Sequence, residues 1–173
     1  MRILIATPLY PPEVADAAAY AKELARRLAK DHEITVVAYA HLPEELPEVR
    51  VVTIEKRQPR FARLRQFRET LAREERGIDA VIAVNGASVE LPLILSAKIP
   101  LIFCAADRAA YARGGLLQRL SFARALMVIR DIPPCKPEIL PLEPEPTEAL
   151  TAWEHAWEAH LARLDSLFTH AKR

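Results

Sequence analysis

Glycine is scarce in this chain, at four of 173 residues, and none occurs before Gly77. The first third of the sequence therefore cannot carry the glycine-rich turn through which a strand-to-helix junction usually brings its backbone close to a phosphate. Cysteine is scarcer still. Cys104 and Cys135 stand alone with no CxxC spacing, which reads as two reduced packing thiols rather than a disulfide framework or a metal centre. Aromatic residues make up only 6% of the chain, and no pattern among them would stack bases, so no nucleic-acid partner is expected. No uninterrupted apolar run approaches the ~18 residues of a membrane span. The RILIA that follows Met1 is too short for a signal-peptide apolar region, so a cytoplasmic protein is expected. Charge is not in excess either. Lys+Arg 24 against Asp+Glu 23 gives a formal net charge of +1, and with 51% hydrophobic residues this excludes a disordered or bulk polyanion-binding class.

What is present is an alternation. Apolar runs rich in Ile and Val, over 2–6, 33–40, 49–55, 79–84, 101–105 and 125–129, alternate with longer stretches of helical period. That is the pattern of strand-helix-strand units around a parallel sheet, and the near-continuous apolar runs suit strands covered on both faces. A helix is expected over about 15–30, with Ala17, Ala21, Leu24, Ala25 and Leu28 on one stripe and Asp16 as its cap. A second is expected over 60–76, with Phe61, Leu64, Phe67 and Leu71 inward, and a third over 88–97. The fold class is α/β: one Rossmann-like, doubly wound parallel sheet of about six strands with a C-terminal amphipathic helix. A chain of this length supports one core.

Six of the fourteen prolines fall between Pro133 and Pro146, so this segment is expected to be extended and stiff. The expected organisation is a domain over 1–131, a proline-rich linker over 132–146 and a helix over 147–173. In that helix Leu150, Trp153, Trp157, Leu161, Leu164 and Phe168 recur at spacings of three and four. The stripe either packs back onto the same domain or meets a partner, for which Trp153 and Trp157 are the natural anchors.

In open α/β sheets ligands bind beyond the carboxyl ends of the strands. The residues placed there are Thr7, Tyr10, Pro11 and Asp16 after the first strand, Asn85 and Gly86 after the fourth, and Asp107 after the fifth. Asp107 is a catalytic candidate on position alone. No acid/base pair or nucleophile stands out beside it. Ser88 and Ser121 lack a nucleophile-elbow pattern. His155 and His160 are five apart, about 140° around a helix, and so cannot share a metal ion; neither metal nor cofactor is expected.

MRILIATPLYPPE followed by AYAKELARRLAKDHEITVVAY, then DAVIAVNG, SVELPLILSAK and PLIFCAAD, resembles the amino-terminal domain of GT-B glycosyltransferases of family 4. These are retaining enzymes that use nucleotide-sugar donors. The resemblance covers roughly residues 1–131. It implies a site at the first turn, where the family has a Gly-Gly pair facing the donor diphosphate; this chain has Val14, Ala15, Asp16 and Ala17. Where the family often has a His after the fifth strand, the chain has Ala106 before Asp107. The family places most donor-binding residues in a second Rossmann domain. The terminal TEALTAWEHAWEAHLARLDSLF resembles the helix that closes GT-B chains. The resemblance thus implies a glycosyltransferase-like single domain without the donor-binding domain, noncatalytic or degenerate, that binds an acceptor or a partner. The alternative is the acceptor subunit of a split transferase completed by a separate donor-domain chain. Expected partners are a nucleotide-sugar or phosphorylated acceptor, a donor-domain subunit or a second copy.

The even charge total hides an asymmetry. Residues 1–55 carry six basic and nine acidic groups, 56–130 fourteen and six, and 131–173 four and eight. The middle section includes KRQPRFARLRQFRETLAREER, and Arg108, Arg113, Arg119 and Arg124 follow the fifth strand. Because arginine pairs bidentately with phosphate, Arg60, Arg63, Arg68 and Arg113 are candidates for contact with an anionic surface. That surface is a phosphorylated acceptor or the headgroups of a membrane to which the protein is peripheral; the bland reading is a solvated face neutralised by Glu69, Glu74 and Glu75.

Overall fold

A computed structural model describes residues 1–74, 76–84, 86, 89, 100–106, 115–116, 119–120, 123, 125–134 and 146–171. Apart from Val89, which is helical and buried, the helix expected over 88–97 lies outside the described residues, as does most of the proline-rich segment. The chain divides into two compact units, Met1–Arg130 and Asp131–Arg173.

The first unit is built on a six-stranded sheet. Its strands are β1 (Arg2–Thr7), β2 (Glu33–Tyr39), β3 (Val49–Ile54), β4 (Ala80–Val84), β5 (Leu101–Cys104) and β6 (Met127–Ile129). They lie in the order β3-β2-β1-β4-β5-β6, and every pairing is parallel. The chain steps outward from β1 to β3, then returns past β1 to lay down β4. Because right-handed crossovers in opposite directions fall on opposite faces, helix α1 (Asp16–Leu28) and helix α2 (Arg60–Glu74) cover opposite sides of the sheet. The sequence allows this because the central strands are apolar on both faces. From Ile3 to Thr7, every residue of β1 is fully buried.

On the α2 side, Leu4, Ala6, Val37, Tyr39, Ile54, Val81, Ala83, Leu101 and Phe103 form one core with Phe67 and Leu71 of the helix. The Tyr39 and Phe67 rings stack with centroids 5.0 Å apart. The expected inward row of α2 needs one correction. Phe67 and Leu71 are buried, but Phe61 is 86% exposed. The reason is topological: α2 runs antiparallel to the strands, so its first turn overhangs the carboxyl edge of the sheet, where no strand lies beneath it. A second correction concerns Asp16, which is the first helical residue rather than the cap. Ala15 holds the cap position with extended backbone (φ −158°, ψ 151°) and no side-chain hydrogen bond. The Asp16 carboxylate therefore acts on the helix dipole, a contribution of roughly 0.3–1 kcal/mol.

The link from β2 to β3 is a departure from the usual pattern. Val49 pairs beside Ile34, so residues 40–48 must travel back along five residues of strand, about 17 Å. A helix covering that rise would need about eleven residues, more than the link contains. It runs extended instead, with Pro43 and Pro47, and closes in a turn in which the Val49 N–H donates to the Leu46 carbonyl. Glu48 takes a φ of 64° in that turn, a left-handed conformation that costs a side-chain-bearing residue about 1–2 kcal/mol.

The second unit contains helix α3 (Pro146–Ala171). Trp157, His160, Leu164 and Phe168 are buried, at spacings of three and four, whereas Leu150, expected on this stripe, is 48% exposed. Trp153 and Trp157, one turn apart, both donate their indole N–H to the Pro134 carbonyl, at 2.8 and 3.2 Å. One oxygen of the segment before the helix is thereby held by two rings. The His160 ring meets Trp157 edge-on, 5.8 Å between centroids. Burial, with Arg163 adding repulsion, holds its pKa down to about 4 from the ordinary 6.5. Among the described residues no helix is long and apolar enough to cross a membrane.

Two outcomes follow. Glu48→Gly relieves the left-handed strain and, after the greater chain entropy of glycine, raises stability by about 0.5–1 kcal/mol in urea denaturation. His160 is neutral in both states above pH 6.5; below it the unfolded chain takes up a proton that the folded helix refuses until about pH 4. Stability falls through that window by roughly 3 kcal/mol, and His160→Gln flattens the slope in denaturation curves measured from neutral to acid pH.

Candidate functional site

The strand order reverses its winding direction between β1 and β4, and in sheets of this order the crevice lies at that switch point, beyond the carboxyl ends of the two strands. The loop after β1 is ordered from within. The Thr7 hydroxyl, fully buried, donates to the Leu9 carbonyl at 2.8 Å, turning the chain directly after the strand. Pro8 then faces Gly86 across the crevice, so close that a Cβ on Gly86 would stand 3.1 Å from two carbons of the proline ring. Gly86 serves here to admit a proline ring, since its φ lies outside the left-handed region. The Pro8 ring thus packs against the Gly86 backbone, joining the turn after β1 to the residue that follows β4 by two.

Tyr10 is fully buried. Burial, with the nearby Glu44 carboxylate, pushes its hydroxyl up to about 12, and that oxygen has no partner among the described residues. Pro11 is half-buried, and its carbonyl accepts from the Glu44 N–H at 2.9 Å. Three side-chain pairs complete the edge. Lys22 of α1 binds Glu44, Lys56 binds Glu13, and His41 meets Glu55 at 3.0 Å. The hydrogen bond from His41, with one from the Arg57 backbone, holds the Glu55 carboxyl below its usual range. These pairs tie the loop after β1 to the segments following β2 and β3. They were not legible in the sequence, because Glu13 and Lys56 belong to no short-range pattern.

Of the residues expected to bind a ligand, Thr7, Tyr10, Pro11, Asp16 and Gly86 therefore gather on this edge, while Asn85 and Asp107 lie outside the described residues. Ala106, after β5, is buried at 5% exposure. Among the described residues no group of three or more His, Cys, Asp or Glu side chains is placed to hold a metal ion.

The basic candidates separate. Arg60 and Arg68 of α2 are exposed and make no ion pair among the described residues. Arg63 turns inward, its guanidinium carbon 5.9 Å from the Tyr39 ring centroid. Arg65 binds Glu69 at 2.7 Å, and the hydrogen bond raises its pKa. Arg113 lies outside the described residues. Trp153 and Trp157, expected at a partner contact, have both indole donors engaged on Pro134.

No protein-family model matches the chain, and no curated protein matches it. Among solved structures it aligns with the crystal structure of the C-terminal domain of coenzyme A biosynthesis bifunctional protein CoaBC. The identity is 14% and the TM-score 0.42, over 68% of this chain and 72% of that one. A likeness this loose bears on neither chemistry nor substrate.

The Pro8–Gly86 contact has a direct test. Gly86→Ala forces the proline ring to shift and lowers stability by about 1 kcal/mol, the low end for overpacking, read as a drop in the urea midpoint with an unchanged slope.

Proposed function

We propose that this chain is a glycosyltransferase-like Rossmann module that does not bind a nucleotide-sugar donor by itself and acts as a noncatalytic binding module for an acceptor or a partner. The observation that carries this reading is the crevice itself. Its strand order is the one in which dinucleotides bind at the β1/β4 switch point, yet the first turn offers Val14, Ala15, Asp16 and Ala17 where the resembling family has glycines. Every one of these carries a Cβ. Pro8 fills the approach beside Gly86, and Asp16 sets a negative charge at the helix end where a diphosphate would rest. The amides there are electrostatically suited to an anion, and the side chains around them oppose one.

A thermal-shift panel of the purified chain with UDP, GDP, ADP and their sugar conjugates tests the reading. A ligand at about 100 times its dissociation constant adds roughly 2.7 kcal/mol of stability; the expected outcome is no nucleotide-selective rise. A selective rise defeats the reading and favours the acceptor subunit of a split transferase, whose donor domain is supplied by another chain.

A further inference from the structure

The two outer strands of the sheet, β3 and β6, differ in what they present. β6 has three residues, and a short strand is one way a protein keeps a sheet edge from pairing. β3 has six, Val-Arg-Val-Val-Thr-Ile with no proline, a composition suited to pairing. Its one charge, Arg50, is drawn onto the α2 side, where it bonds Glu74 at 2.6 Å. The Val49 N–H is spent on the Leu46 carbonyl and so does not point at β2. Because backbone groups alternate in direction along a strand, Val51 and Thr53 also turn their N–H and C=O away from β2. Among the described residues neither makes a backbone hydrogen bond on that outer side.

We propose that the chain forms a two-fold dimer in which β3 pairs antiparallel with β3 of a second copy, joining the two sheets into one. An axis that relates the strands in this sense stands normal to the sheet, so the α2 sides of both copies face the same way and odd-numbered residues meet odd-numbered ones. Passed through Val52, the axis sets that residue beside its own counterpart. Val51 then exchanges both of its hydrogen bonds with Thr53 of the second copy, and Thr53 with Val51, while Glu48 at one end comes beside Lys56 at the other. The neighbouring registers are worse. Passed through Thr53, the axis sets Arg50 opposite Lys56, and passed through Val51 it sets Ile54 opposite Glu48. The cations bordering the strand on the α2 side, Arg50 and Arg73, both bond Glu74, which lowers the repulsion between copies. A second copy is the occupant because the strand complements itself in one register; an unrelated extended peptide would meet the amides without that match. The pairing is independent of the crevice and of any ligand there.

Sedimentation velocity of the purified chain at concentrations up to about 100 micromolar tests it, since pairing through one short strand is expected to dissociate in the micromolar range. The chain is expected to pass from monomer to dimer as concentration rises, and no further, because the pairing consumes β3. Thr53→Pro removes an outward N–H that the monomer leaves unbonded. It is expected to weaken the dimer about tenfold or more, with little change in the melting temperature at low concentration. Should that variant fail to fold, cross-linking decides. With Cys135→Ser in both chains, a Val51→Cys chain mixed with a Thr53→Cys chain is expected to form a disulfide-linked pair under mild oxidation more readily than either chain alone, because directly opposed residues lie within disulfide reach. A chain that stays monomeric throughout, a dimer undiminished by Thr53→Pro, or cross-linking with no preference for the mixed pair overturns the proposal. So does growth to species larger than the dimer.

Discussion

The burial of β1 on both faces is the constraint on which the rest of the first unit depends. A strand hydrogen-bonded to β2 on one side and β4 on the other, with no exposed residue from Ile3 to Thr7, requires a layer above and a layer below. α1 and α2 provide those layers only because the chain reverses its winding after β3. The same reversal creates the crevice. Core and candidate site are thus two results of one topological fact: the carboxyl end of a strand buried on both faces is also the place where the winding direction reverses.

At that end the chain uses side-chain bulk where related architectures use glycine. Thr7 turns the loop, Pro8 packs on Gly86, and Tyr10 is driven wholly inside, its hydroxyl raised to about 12 by loss of solvent. Each arrangement sets a side chain into the packing of this edge. The electrostatics of the edge follow the same logic, since the carboxylates of Glu13, Glu44 and Glu55 are answered by Lys56, Lys22 and His41 in the neighbouring segments. Cross-loop pairs of this exposure contribute little stability singly, about 0–1 kcal/mol, but they fix where the loop tips stand.

Much of the fold was legible in the sequence because strands buried on both faces leave continuous runs of Ile and Val, and α1 shows an alanine and leucine stripe at helical spacing. Boundaries agreed to within one or two residues. Periodicity fails where geometry, rather than composition, decides exposure. Phe61 sits at an inward phase of α2 yet overhangs the sheet, and His160 is buried on α3 although its residue type reads as polar. Asp16 looked like a cap because its side chain suits one, but Ala15 is the last extended residue and Asp16 is already helical. The site was legible as a place, through the strand ends, and not as an arrangement. Contacts such as Pro8 with Gly86, or Lys56 with Glu13, join residues whose proximity arises only after the sheet has formed.

The helix-free link between β2 and β3 has a consequence for local motion. Wherever a helix lies on the sheet, its amides and those of the strand beneath are shielded together. Over residues 40–48 a single extended strip takes that role, and β3 beside it is an edge strand with only Ile54 fully buried. Amide protection is therefore expected to fall from β1 outward to β3. On this side of the sheet, local opening is expected to start at β3 and to meet the buried Tyr39–Phe67 stack before it reaches β1.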